Sequence, residues 1–181
     1  GQSVAQTDRF PVQTVQLLKQ QNIDMADPDI VAVTGWTTGN LLSALNTNPP
    51  RDNYSIVTLL IGVNNQYRGS SLDEYKTEFT DLLNRCILYA GNNKDHLIVL
   101  SIPAYSFTPF AISSDTNEIA TELDNFNSTY NSISLNDGVH YLDITPISLA
   151  AIIDPSLFTS QGLRPTRSPS QNRRCILRPR I

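Results

Sequence analysis

Three short segments hold the residue types most able to bind or move charge. They are Val33-Thr34-Gly35-Trp36-Thr37-Thr38, Ile61-Gly62-Val63-Asn64-Asn65-Gln66 and Gln161-Gly162-Leu163-Arg164-Pro165-Thr166. A glycine such as Gly35 lets the backbone approach a ligand closely and leaves its N–H free to donate. Taken alone, Gly35 reads first as a strand-to-helix turn glycine. Asn64 carries a carboxamide NH2 that can donate to developing negative charge. Its bland counterpart is a turn or cap asparagine, but Gly62-Val63-Asn64 at the end of an apolar run favours the functional role. Arg164 stays protonated and cannot act as a general base. The two histidines, His96 and His140, fall at the start of one extended segment and inside another. Both are placed for structure rather than for proton transfer.

The elements that must position these residues alternate between helical and extended. Val12, Val15 and Leu18 recur at helical spacing within 10–21, with Pro11 as a first-turn residue. Asp29–Thr34 is a β-branched run that ends at Gly35, and a short helix follows over Thr37–Leu45. Tyr54–Ile61 is nearly continuous apolar, as expected of a strand covered on both faces. Ser71 stands three residues before Glu74 and opens a helix over 72–90 that Gly91 ends. His96–Ile102 is the next strand. Then come a loop, a helix over Glu118–Ile133, a strand over Val139–Leu142 and a helix over Thr145–Ala151. This alternation implies βαβ units, a parallel sheet and a three-layer α/β/α sandwich. In such a fold the loops after strand C-termini build the site.

Composition narrows the class. The chain has 181 residues, 40% hydrophobic and 17% charged, which excludes a disordered chain and fits one domain. No apolar run approaches the ~20 residues of a membrane span. Cys86 and Cys175 form neither a disulfide framework nor a metal set. The net charge of −4 hides a split. Residues 1–155 hold seven cationic and all 17 acidic residues, for −10, and residues 156–181 hold six arginines, for +6. The acidic body argues against a nucleic-acid partner. The sign change divides the chain into an α/β domain over 1–155 and an Arg-rich tail over 156–181.

In order and spacing, the three segments resemble the second, third and fifth sequence blocks of the SGNH (GDSL-type) hydrolases. Supporting stretches run between them: Ser101-Ile102-Pro103-Ala104-Tyr105, Asp124-Asn125-Phe126-Asn127 and Tyr141-Leu142-Asp143-Ile144-Thr145. The resemblance covers residues 1–166. It implies an esterase or lipase-like acyl hydrolase of sandwich fold, a small-molecule ester substrate and no cofactor. It assigns Gly35 and Asn64 to the oxyanion hole, where such donors contribute about 3–4 kcal/mol each. Trp36 and Tyr105 would lie near the pocket, either touching an acyl or sugar group or simply packing the loops. Asp143 reads as a cap or loop hydrogen-bonder.

The departures from the family pattern concern the triad. The fifth block, D-G-L-H-P in the family, reads Gln161-Gly162-Leu163-Arg164-Pro165 here. The positions of the orienting acid and the base are therefore Gln161 and Arg164. The family asparagine is usually followed by Asp, and here by Asn65. Gly1-Gln2-Ser3 echoes the nucleophile block, but Asp8-Arg9-Phe10-Pro11 matches a later helix start. That register places the first strand and its serine before Gly1 and argues against Ser3 as nucleophile. The expectation is an SGNH-type domain without its first strand and with impaired hydrolysis. The competing reading is a catalytically dead module in which Arg164 binds an anionic or acylated ligand. The sequence leaves oligomeric state and compartment open.

Overall fold

The computed structural model describes residues 5–106 and 115–153. Helices α1 (Phe10–Gln20) and α2 (Thr38–Thr47) precede strand β1 (Val57–Leu59). Then follow α3 (Val63–Tyr67), α4 (Leu72–Tyr89), β2 (Leu97–Leu100), α5 (Thr116–Asn136), β3 (His140–Leu142) and α6 (Thr145–Ile153). The strands form a parallel sheet in the order β1-β2-β3. Two successive right-handed crossovers place α4 and α5 on the same face, and the two helices touch each other there. The architecture is α/β, as the alternating pattern implies.

Helix α4 shows how the sequence writes this layer. Ser71 caps it, its Oγ accepting the Glu74 N–H at 3.2 Å. Tyr75, Phe79, Leu82, Leu83 and Cys86 recur at helical spacing and are all buried. Gly91, at φ +67°, ends the helix, and the Asn92 N–H bonds back to the Ile87 carbonyl at 2.9 Å. Tyr75 and Phe79 meet α5 in an aromatic cluster. The Tyr75 ring lies 4.3 Å from Phe126, and the Phe79 ring 4.1 Å from Tyr130. Leu59, Val99 and Tyr141, in register across the sheet, face this core. Burial among these groups pushes the Cys86 thiol up to about 12, so it is a core side chain rather than a reactive thiol.

Two expectations are corrected. Asp29–Thr34 forms no ladder. Its Asp29 carboxylate accepts bonds from Arg51 at 2.7 Å and Tyr54 at 2.6 Å, but Ile30, Val31 and Val33 stay exposed. A β-branched run becomes a strand only against a partner edge, and this run pairs with none among the described residues. Tyr54–Ile61 contracts to Val57–Leu59, with Ile56 and Leu60 exposed. It is an edge strand among the described residues, and only one face of the sheet is fully covered. On the other face Thr58, His140 and Leu142 meet solvent. The boundary expected at 155/156 and the whole Arg-rich tail lie outside the described residues.

The sheet's C-terminal edge is pinned by Asp143. Its Oδ1 accepts bonds from the Ser101 hydroxyl at 3.0 Å and the Thr145 N–H at 2.9 Å. The Ser101 oxygen in turn accepts the Ile144 N–H at 2.8 Å. Asp143 is thus the loop hydrogen-bonder that its position suggested. Burial alone would raise its pKa, but the bonds from Thr145 and Ser101 outweigh burial and hold it below the ordinary carboxylate range. A depressed carboxylate pKa adds stability above the unfolded-state value and loses it as pH falls through the folded-state value. Between about pH 5 and 3, part of the fall in the urea midpoint should come from Asp143. Asp143→Asn should shrink that fall, as measured by denaturation across this range.

Candidate active site

The turn after β1 begins the site. Gly62 adopts φ +116°, a conformation that strains any residue with a Cβ. A Cβ there would lie 2.5 Å from the Tyr75 hydroxyl, 2.8 Å from the Tyr130 hydroxyl and 2.9 Å from Ile102. Tyr130 donates to the carbonyl of Ile61, the preceding residue. Gly62 thereby lets the chain leave the strand over the aromatic core, and its own carbonyl accepts the N–H groups of Asn65 and Gln66. The short helix α3 that follows had no signal in periodicity.

Three consecutive amides leave this turn in three directions. Asn64 donates from Nδ2 to the Trp36 carbonyl at 2.9 Å. Asn65, fully buried, accepts the Thr38 N–H at 3.0 Å and donates to the Thr38 hydroxyl at 2.7 Å. The Thr38 hydroxyl in turn donates to Glu78 on α4. Gln66 donates to Glu122 on α5 at 2.7 Å and accepts from the Tyr105 hydroxyl. These side chains lock the loop carrying Asn64 to the loop carrying Gly35, and both loops to the helical layer. Gln66 and Thr38 are positioning residues that sequence reasoning did not single out, and Asn65, noted there only as a departure from the family pattern, is a third. The available signal was a run of three amides directly after a glycine turn.

Gly35 lies beside Asn64 through this lock. It adopts φ +86°, and its carbonyl accepts from Arg68 Nη2 at 2.7 Å. Its own N–H makes no hydrogen bond among the described residues. The Asn64 NH2 spends one of its two protons on Trp36 and keeps the other. The Asn64 carboxamide is thereby held against the residue after Gly35, and each of the two candidate donors keeps an N–H without a hydrogen bond among the described residues. Helix α2 starts just beyond, capped by Thr37 and Asn40 in a reciprocal box.

The remaining candidates separate. Tyr105 is buried and bonded to Gln66, so loop packing is its role. Trp36 is partly buried against the core cluster. His96 ends the turn before β2, and His140 opens β3, with its Nε2 3.6 Å from Asp95. Both histidines sit at the N-terminal edge of a parallel sheet, opposite Gly35 and Asn64. Ser3, Gln161 and Arg164 lie outside the described residues. A groove lined by Ile30–Val33, Trp36 and one side of α2 contains neither Gly35 nor Asn64. It is the uncovered flank of the unpaired segment.

The chain matches the GDSL-like Lipase/Acylhydrolase family over residues 1–168. It belongs to that family. A comparison with curated proteins gives no match. Among the solved structures that share its fold are two esterases. One is AlinE4, a SGNH-hydrolase family esterase, with TM-score 0.60 and 17% identity over 88% of this chain and 80% of that one. The other is the psychrotrophic esterase EstA from Pseudoalteromonas sp., with TM-score 0.54 and 18% identity over 92% and 81%. The fold is thus the sandwich of the SGNH hydrolases, and the family is one of lipases and acylhydrolases.

Two substitutions test the geometry. Gly62→Ala should destabilise the fold by at least ~2 kcal/mol, through overpacking and a strained φ together. The denaturant midpoint should fall while the slope stays constant. Asn65→Asp should cost about 1–3 kcal/mol at neutral pH, because it removes a buried donor and sets a second carboxylate on the Thr38 hydroxyl. That loss should shrink on acidification, when the new carboxyl takes up a proton.

Proposed function

We propose that this chain binds carboxylic esters with the Gly35 N–H and the Asn64 side chain as oxyanion donors, and that its own hydrolysis is impaired. The observation that carries the first half is the Asn64–Trp36 bond, which holds the carboxamide against the Gly35 loop while leaving one N–H free. Donors fixed in this way favour the charge that builds on a carbonyl oxygen as it becomes tetrahedral, with no reorganisation at the moment of reaction. Family membership supports an ester carbonyl as the group bound.

The second half rests on the base. Attack by a hydroxyl on an ester needs a group within about 3 Å to take its proton. The chain has two histidines, and both lie at the far edge of the sheet. The family's base and orienter positions are Arg164 and Gln161. A guanidinium cannot accept the proton, and an uncharged amide cannot stabilise an imidazolium.

Purified chain and p-nitrophenyl acetate provide the test. Turnover should stay close to the uncatalysed background, and Asn64→Ala should reduce whatever remains by about 10²-fold. Robust turnover abolished by Ser3→Ala would overturn the impaired reading and make Ser3 the nucleophile.

A further inference from the structure

Arg68 follows α3 directly and stands over the Gly35 loop. Its Nη2 donates to the Gly35 carbonyl at 2.7 Å, and a Cβ built on Gly35 would lie 3.6 Å from that same nitrogen. The residue is exposed. Of the seven cationic side chains before residue 156, Lys19, Arg51, Lys76 and Arg85 form ion pairs with aspartates. Arg68 forms none among the described residues. Among the described residues its side-chain bond goes instead to a backbone carbonyl of the candidate site.

A guanidinium offers five N–H donors on two fork-shaped edges. The single bond from Nη2 to Gly35 occupies at most one edge. The other edge is free to take a carboxylate with two parallel bonds. The Gly35 contact also holds the guanidinium in place, so less side-chain freedom is lost when an anion binds.

We propose that Arg68 is a specificity-determining residue that selects esters bearing a carboxylate a few bonds from the scissile carbonyl. The inference rests on the reading of Gly35 and Asn64 as the ester-binding pair. The carbonyl oxygen sits between those two donors, and the carboxylate of the same molecule lies on the free edge of Arg68. A neutral ester uses only the first contact.

Trp36 is the single tryptophan of the chain and lies between Gly35 and the Asn64 contact, so its fluorescence reports occupancy. The probes are monomethyl succinate and its neutral isostere methyl levulinate, titrated separately at constant ionic strength. Wild type should bind monomethyl succinate about tenfold more tightly, the difference expected for charge-assisted bonds at an exposed site. Arg68→Gln should remove that preference by weakening the anion rather than the neutral ester. Arg68→Lys keeps the charge without the fork and should retain a reduced preference. If methyl levulinate binds and wild type shows no preference, or if the preference survives Arg68→Gln, Arg68 has no such role and the ester-site reading stands. If neither ester perturbs Trp36, the ester-site reading falls and takes this inference with it. Should Arg68→Gln lose both ligands, Arg68→Lys decides: a preference reduced severalfold upholds the bidentate contact, and an unreduced one overturns it.

Discussion

The site edge of this fold depends on one backbone conformation, the positive φ of Gly62. The chain leaves β1 over a floor of two tyrosine rings, with space for a hydrogen and nothing larger. Because the turn is that tight, Asn65 and Gln66 can bond back to the Gly62 carbonyl. Their side chains are then aimed at separate elements. Move the turn outward by the radius of a methyl group, and three amides lose their partners together. The aromatic core built from α4 and α5 therefore does two tasks. It supplies apolar burial, and its hydroxyl rim sets the height at which the site loop crosses.

The second tier is the pairing of loops. Asn65 presents its carboxamide to both the N–H and the hydroxyl of Thr38. An aspartate could accept from the N–H but could not donate to a hydroxyl that already donates to Glu78. The amide at this position is thus matched to Glu78 rather than a neutral variation on the family pattern. The same logic extends to Gln66, which donates to a carboxylate and accepts from a phenol. Each amide uses both ends, and that fixes its orientation.

The residues explain what was legible in the sequence. Helix α4 was readable because capping, periodicity and a terminal glycine all agree. The contact of the Asn64 turn with the Gly35 loop agrees with block order, although the run before Gly35 is not a strand of the sheet. The failure of Asp29–Thr34 to pair was not legible. Pairing is a property of two segments, and local propensity describes one. Nor was the Arg68 contact, because an arginine at a helix end reads as solvated until its carbonyl partner is known. Asn65 was noticed as a substitution, but its meaning lay in Thr38 and Glu78, 27 and 13 residues away.

Sheet polarity also bears on catalysis. Parallel strands place every C-terminus on one edge and every N-terminus on the other. Gly35, Gly62 and Asn64 lie at the first edge, and His96 and His140 at the second, where His140 meets Asp95. A strand of three or four residues separates the edges by roughly 10–13 Å. No rotamer of an imidazole spans that distance, and proton abstraction needs contact at about 3 Å. The histidines are excluded as bases by topology, whatever their protonation. Recognition and proton transfer are therefore separable in this chain. On the proposed reading the described residues hold the carbonyl-binding donors, and any base that serves them must come from a group other than the two histidines.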